Sequence, residues 1–203
     1  MRESQRDWNE HYATGHTPWD SGQPSRELER ILQEKWFKPG RMLEIGCGTG
    51  TNAIFLAQRG FDVTAVDLVP LALEKARAKA TAQRAKVAFL QADALNLPDL
   101  GAPFPFVFDR GVYHSLRQVD LQRFLATLGK VLQPGGYYLT LAGNANDPEA
   151  VEAGPPRVHA HEICQELRPL FDLVQLREFR FDGVVIEGRS FAPLGWSALL
   201  RRK

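Results

Sequence analysis

RMLEIGCGTG, residues 41–50, is the stretch from which the fold of this chain is read. Met42, Leu43 and Ile45 form an apolar run of the density expected for a strand buried on both faces of a parallel sheet. Gly46, Gly48 and Gly50 then make a turn short of side chains, where backbone N–H groups can approach a ligand. TNAIFLAQRG, from Thr51, reads as a helix whose N-terminus points at the same place. A second hydrophobic strand, DVTAVD, ends in Asp67, so that its carboxylate emerges at the same sheet edge and can accept from the two hydroxyls of a ribose. A third strand, VAFLQ, leads to Asp93.

A dinucleotide fingerprint is the competing reading of such a turn, but it spaces its glycines G-x-G-x-x-G. Here the third glycine comes one residue early, at 50, and Glu44 stands ahead of the turn. This E-x-G-x-G-x-G element, with Asp67 and Asp93 ending the next two strands, resembles the first motifs of class I S-adenosylmethionine-dependent methyltransferases, where no pyrophosphate has to be accommodated. The resemblance implies S-adenosyl-L-methionine as cofactor and S-adenosyl-L-homocysteine as product. It assigns the ribose to Asp67 and the adenine to Asp93, and it adds Glu44, Gly46, Cys47, Gly48, Gly50, Asn52, Leu68 and Ala94 to the cofactor shell.

The alternation along the chain suits that family. Strands are expected at Arg41 to Gly46, Asp62 to Asp67, Val87 to Gln91, Phe104 to Asp109 and Tyr137 to Leu141. Helices are expected at Asn52 to Gln58, Leu71 to Gln83 and Leu121 to Leu132, with Pro134-Gly135-Gly136 as a sharp stop after the last. A helix at Glu162 to Leu170 and strands at Leu173 to Phe179 and Trp196 to Leu200 complete the order. Five parallel strands plus a C-terminal pair imply an α/β, doubly wound, seven-stranded, mostly parallel sheet with helices on both faces. The 203 residues are read as a single domain: an N-terminal lid over 1–25, a cofactor-binding core over 41–142, and an acceptor-side, sheet-closing part over 143–203. Thr14 to Ser25, Gly143 to Arg157 and Gly183 to Gly195, rich in Gly or Pro, are the least regular stretches and candidates for lids.

Composition excludes several classes. Lys plus Arg number 25 against 24 acids, a formal net charge of +1, so no overall field favours nucleic acid or an anionic membrane. No apolar run approaches the roughly 18 residues of a membrane span, and the N-terminus lacks the pattern of a signal peptide. Two cysteines, Cys47 and Cys164, far apart, indicate neither a disulfide framework nor a zinc site. The expectation is a soluble cytoplasmic protein; nothing in the pattern chooses monomer or dimer.

WNEHYATGHTPWD, residues 8–20, sets Trp8 and Tyr12 one helical turn apart and places Trp19 after the turn residue Pro18. This segment resembles the opening of the thiopurine methyltransferases, the plant halide and thiol methyltransferases and their bacterial small-molecule relatives. There the segment folds over the cofactor, which by position would set Trp8, Tyr12 and Trp19 near the sulfonium and the methionine portion. A sulfonium is a permanent cation without N–H donors, and an aromatic face stabilises it by about 0.5–2 kcal/mol. The bland alternative is a hydrophobic staple for the N-terminal arm. Asp20 could cap a turn or hold an acceptor.

FVFDRGVYHSL, residues 106–116, follows the fourth strand, at the position where ligands bind in doubly wound sheets. Its DRG step also resembles the thiopurine group. Asp109 and Arg110 are therefore candidates for the cofactor's amino acid part and for holding the acceptor, or else an ion pair that fixes the loop. His114, with a natural pKa suited to a base, is the third catalytic candidate or a packing residue. A soft anion attacking a sulfonium methyl needs alignment in a dry site more than it needs a base, and Arg110 would raise the thiolate fraction of a thiol. An N–H or O–H acceptor would call on His114 or Asp109.

His159, His161 and Glu162 read as a loop entering a helix, not as metal ligands, and Cys47 as a packed side chain, not a nucleophile. Methylation of nucleic-acid exocyclic amines would call for an [N/D]-P-P-[Y/F] element where Asp109 to Tyr113 stand. A non-catalytic cofactor-binding module is the remaining alternative.

Overall fold

The computed structural model describes residues 8–149, 155–186 and 189–203. Its elements run α1 (Trp8–Thr14), α2 (Arg26–Gln33), β1 (Arg41–Ile45), α3 (Thr51–Gln58), β2 (Asp62–Asp67), α4 (Pro70–Ala82), β3 (Val87–Gln91) and β4 (Phe104–Arg110). They continue α5 (Tyr113–Val131), β5 (Leu132–Gly143), α6 (Ala160–Leu167), β6 (Phe171–Arg180), β7 (Val184–Ile186), β8 (Arg189–Phe191) and β9 (Leu194–Arg202). Seven strands form one sheet in the order β3-β2-β1-β4-β5-β9-β6; β3 to β5 pair parallel, and β9 runs antiparallel to both its neighbours. The strand order reverses between β1 and β4, which opens the crevice at their carboxyl ends.

Side-chain alternation divides the core between the two faces. Leu43, Ile45, Val66 and Val107 pack on one face with Phe124, Leu128, Ile163 and Leu167 of α5 and α6. Met42, Val63, Ala65, Phe106 and Phe108 pack on the other with Leu28, Ile31, Ala53 and Leu56 of α2 and α3. Both faces are thus covered, which is why these strands are apolar throughout rather than alternating.

Several elements depart from the sequence reading. Helix α2 was not expected; Ser25 starts it by accepting from the Leu28 N–H at 3.4 Å, and Leu28 and Ile31 bury its inner face. Helix α5 begins at Tyr113, eight residues before the expected start, and Asp120 interrupts it with φ −159° and ψ 83°. Asp120 then caps the second piece, accepting from the Arg123 N–H at 2.9 Å, so the expected helix is that second piece. Strand β5 extends back past Pro134-Gly135-Gly136: its register with β4 jumps from Phe104↔Leu132 to Phe106↔Tyr137, and the turn residues bulge out rather than ending the pairing. The stretch Gly183 to Gly195 holds a small hairpin, β7 with β8. Residues 150–154 and 187–188 of the candidate lid loops lie outside the described residues.

Candidate active site

A cavity of about 770 Å³ lies over the carboxyl ends of the parallel strands. The turn after β1 forms its floor, with φ of 68°, 54° and 75° at Gly46, Gly48 and Gly50. At Gly48 the bare backbone is required: a Cβ there would stand 2.7 Å from the hydroxyl of Tyr12, which lies directly over the turn. Asp67, at the end of β2, accepts from the Gly48 N–H at 2.7 Å and the Val69 N–H at 2.9 Å. These bonds orient the carboxylate and leave each oxygen a second lone pair for a diol. Burial pushes the Asp67 carboxyl above its ordinary value, against the pull of those N–H donors. Asp93 and Ala94 line the cavity beyond it, and Asp93 closes its own turn by accepting from the Leu95 N–H at 2.8 Å.

Glu44 is buried in the cavity wall on the α3 side, and burial pushes its carboxyl up to about 8. Its Oε2 has no hydrogen-bond partner among the described residues. An unpartnered buried acceptor on a cavity wall is where a donor-bearing or cationic ligand gains most. Together with the Asp67 carboxylate and the glycine turn, it gives a donor and acceptor set that fits S-adenosylmethionine.

The N-terminal segment closes the cavity from above. Tyr12 packs on Val69 and Ala72, and Lys75 of α4 donates to its carbonyl at 3.0 Å. Trp8 and Trp19 meet edge to face with centroids 5.2 Å apart; His11 stands at the same distance from Trp19, and all four rings line the cavity. Asp20 has a closing role: its carboxylate caps a turn at the Gly22 N–H (3.1 Å) and accepts from the Thr49 hydroxyl at 2.6 Å, tying the segment to the glycine turn. Lys79 donates to Thr49 and Thr51 from below, at 2.7 and 2.8 Å.

Arg110, at the end of β4, lines the cavity and donates from Nη1 to the Trp19 carbonyl at 2.8 Å; its guanidinium lies 5.0 Å from the Phe181 ring centroid. Burial lowers its pKa from the ordinary arginine value, opposed by Asp182, Asp20 and Glu44. His114, buried beside it, accepts the Gly143 N–H on Nδ1 at 2.7 Å.

Two expected site residues do not line the cavity. Asp109 is fully buried beneath it; its carboxylate accepts from the Val112 and Tyr113 N–H groups at 2.9 and 3.1 Å and from the Tyr138 hydroxyl. Its carboxylate anchors the start of α5 and does not line the cavity, so a contact with cofactor or acceptor here would fall to the adjoining Arg110 and Gly111, which do. Gly50 has its space taken from behind, where a Cβ would meet Ala76 and Phe89 at 2.9 Å; it serves helix-to-sheet packing. His114 lines the cavity, and its Nδ1 accepts the Gly143 N–H, so taking up a proton at that nitrogen would break the bond. The remaining expected residues, Trp8, Tyr12, Trp19, Glu44, Gly46, Cys47, Gly48, Asn52, Asp67, Leu68, Asp93, Ala94, Arg110 and His114, are brought together in one wall. Burial raises the Cys47 thiol well above its ordinary pKa, which suits packing. His159 and Glu162 form a capping box at the start of α6.

Missed from sequence were His11, His16, Phe181, Pro193 and Leu194, which also line the cavity. His11 adjoins Tyr12 and carried a local signal; the C-terminal residues reach the site only through the return of the chain along β6 and β9 and carried none.

Residues 42–136 match a family model described as a methyltransferase domain. The strand order, the glycine turn and the acid at the end of β2 agree with that match. The chain carries a methyltransferase domain over residues 42–136 and shares the fold of the class I S-adenosylmethionine-dependent methyltransferases. It is 28% identical over 166 residues to a probable thiol methyltransferase of Arabidopsis thaliana, covering 80% of this chain and 72% of the relative. It is 29% identical over 126 residues to a 2-heptyl-1-hydroxyquinolin-4(1H)-one methyltransferase of Mycobacteroides abscessus, with 61% of this chain matched, and the methyltransferase described here spans about half of that relative's length (55%). A solved structure concerned with conversion of a disulfide bond into a thioacetal group during echinomycin biosynthesis superposes with a TM-score of 0.82 at 25% identity, over 92% of this chain and 85% of the other.

Proposed function

We propose that this methyltransferase acts on a small-molecule nucleophile, most favourably a thiol or another soft anion of sulfur, selenium, tellurium or a halide, by in-line displacement. S-adenosylmethionine supplies the reaction with a methyl group activated on a sulfonium. The observation that carries the reading is Arg110, a half-buried cation in a cavity wall that aromatic rings share with the carboxyl groups of Asp20, Glu44, Asp67 and Asp182. Its guanidinium can stabilise an acceptor that reacts as an anion, while Trp8, Tyr12 and Trp19 offer faces to a cation and keep water out. Alignment of the two partners in that dry space is the main source of acceleration. The thiol methyltransferase relative and the structural neighbour from disulfide chemistry both support a sulfur acceptor.

A second reading, methylation of a hydroxyl or amine of a small metabolite, is favoured by the hydroxyquinolone methyltransferase relative. On either reading the protein works in the cytoplasm, without a nucleic-acid or membrane partner. Among the described residues no helix is long and apolar enough to cross a membrane. The test is release of S-adenosylhomocysteine with a panel of small thiols, iodide, selenite and tellurite, beside hydroxylated heterocycles, RNA and protein. Turnover with thiols and iodide is expected; turnover confined to hydroxylated compounds would select the second reading, and turnover confined to RNA or protein would reject both.

A further inference from the structure

We propose that His11, on the lid helix, is the general base for a thiol acceptor; this rests on the thiol reading above and adds the residue that takes the proton. Two cavity histidines have their tautomers assigned in opposite senses by the main chain. The Gly143 N–H donates to Nδ1 of His114 at 2.7 Å, so neutral His114 carries its proton on Nε2. Nδ1 of His11 lies 3.1 Å from the His16 carbonyl oxygen, and a carbonyl only accepts, so this nitrogen carries the proton and the lone pair of neutral His11 is on Nε2. Among the described residues, Nε2 of His11 has no hydrogen-bond partner.

The placement suits the role. The His11 ring stands edge-on to Trp19 at 5.2 Å, and the Trp19 carbonyl is held by Arg110 at 2.8 Å. Base, ring wall and cation therefore follow one another around a single cavity. Of the titratable and charged groups, His16 stacks on His11 at 5.8 Å, Lys75 of α4 donates to the carbonyl of the adjoining Tyr12, and Asp20 of the lid with Asp67, Arg110 and His114 from the sheet side line the same cavity. In the step, the thiol proton passes to Nε2 of His11 and the sulfur electron pair forms the new bond to the methyl carbon. The bond from that carbon to the sulfonium breaks with its electron pair left on the departing sulfur, giving neutral S-adenosylhomocysteine. The imidazolium then returns its proton to water.

His11→Asn tests this, because the Asn amide can still donate to the His16 carbonyl and hold the lid while the lone pair is removed. At pH 7, kcat/KM for a thiol with a pKa of about 8.5 is expected to fall up to about 30-fold, the inverse of the thiolate fraction that solvent supplies at that pH. The deficit should shrink as pH rises toward the thiol pKa, since solvent then supplies the thiolate. Iodide, which has no proton to lose, should decline at most a few-fold. Long-range ¹H–¹⁵N spectra of histidine-labelled protein with S-adenosylhomocysteine should show the Nδ1–H tautomer for His11 and the Nε2–H tautomer for His114. An equal loss with thiol and iodide, a larger thiol loss in His114→Asn, or an Nε2–H tautomer at His11 would each overturn the proposal. A wild-type protein that methylates neither thiol nor iodide refutes the sulfur reading, and the proposal with it; that failure is distinct because the wild type, not the variant, is then silent.

Discussion

Glu44 holds a proton that ligand binding should remove. The carboxyl sits near its ordinary value of 4.5 when the chain is unfolded and is pushed up to about 8 by burial in the fold. A folded-state pKa above the unfolded one means that the native state binds the proton more tightly. The associated stability is complete below about 4.5 and is lost as pH rises through 8. Denaturation of wild type and Glu44→Gln across this range should therefore show the variant gaining on the wild type from pH 4.5 to 8, then levelling off; a constant difference would mean an ionised Glu44 throughout. A cationic ligand beside Oε2 favours the ionised form, so binding of S-adenosylmethionine at pH 7 should release more protons from wild type than from Glu44→Gln. Calorimetry in buffers of different ionisation enthalpy reads this directly. Asp109 behaves differently: burial raises its carboxyl to about 6, and three donors hold it in place under α5. Asp109→Ala should cost about 1–2 kcal/mol in unfolding free energy, as loss of a helix-end acceptor does. Turnover should fall no further than the loss of folded protein, and a collapse of kcat in a fully folded variant would give Asp109 a catalytic role.

Among the elements, the first crossing from sheet to helix, β1 to α3, shows what sequence spacing could and could not say. Gly50 looked like part of the cofactor cradle because it is the third glycine of the turn, yet its α-carbon faces Ala76 of α4 and Phe89 of β3. Gly50→Ala combines a left-handed backbone at φ 75° with an overpacked contact, and about 1–3 kcal/mol of destabilisation is expected. Affinity for S-adenosylhomocysteine, measured on the remaining folded protein, should stay within a few-fold of wild type. The strands β1 and β2 were legible to within a residue because each is an apolar run largely buried in the sheet, whereas β3, at the sheet edge with Leu90 exposed, was legible from its apolar residues alone. Helix α2 was overlooked although Ser25, Leu28 and Ile31 bear a cap and an apolar stripe, since its eight residues lie between turns rich in Gly and Pro. The break in α5 at Asp120 and the bulge of β5 against β4 at Gln133 to Gly136 have no periodic signature in the chain.

For the molecule as a whole, the part of the site carried by contiguous motifs was readable and the part assembled from distant segments was not. Arg110 is where those segments meet. It donates to Trp19 of the N-terminal segment, lies over Phe181, and shares its surroundings with Asp182, whose carboxylate accepts from the Arg26 N–H at 3.2 Å. A hydrogen bond from a charged donor contributes about 1.5–3 kcal/mol, so Arg110→Met should loosen the lid and leave Asp20, Asp182 and Glu44 without their cation. Affinity for S-adenosylhomocysteine is expected to fall about 10- to 100-fold, the same energy expressed as a binding ratio. The segment around Trp19 should become a site of limited proteolysis. Arg110→Lys keeps the charge but lacks the planar fork that spans carbonyl and ring, and should fall between wild type and Met on both measures. If Arg110→Met binds and resists protease as wild type does, the lid is held by its rings and the Asp20–Thr49 contact alone, and the cation is left with the acceptor as its sole role.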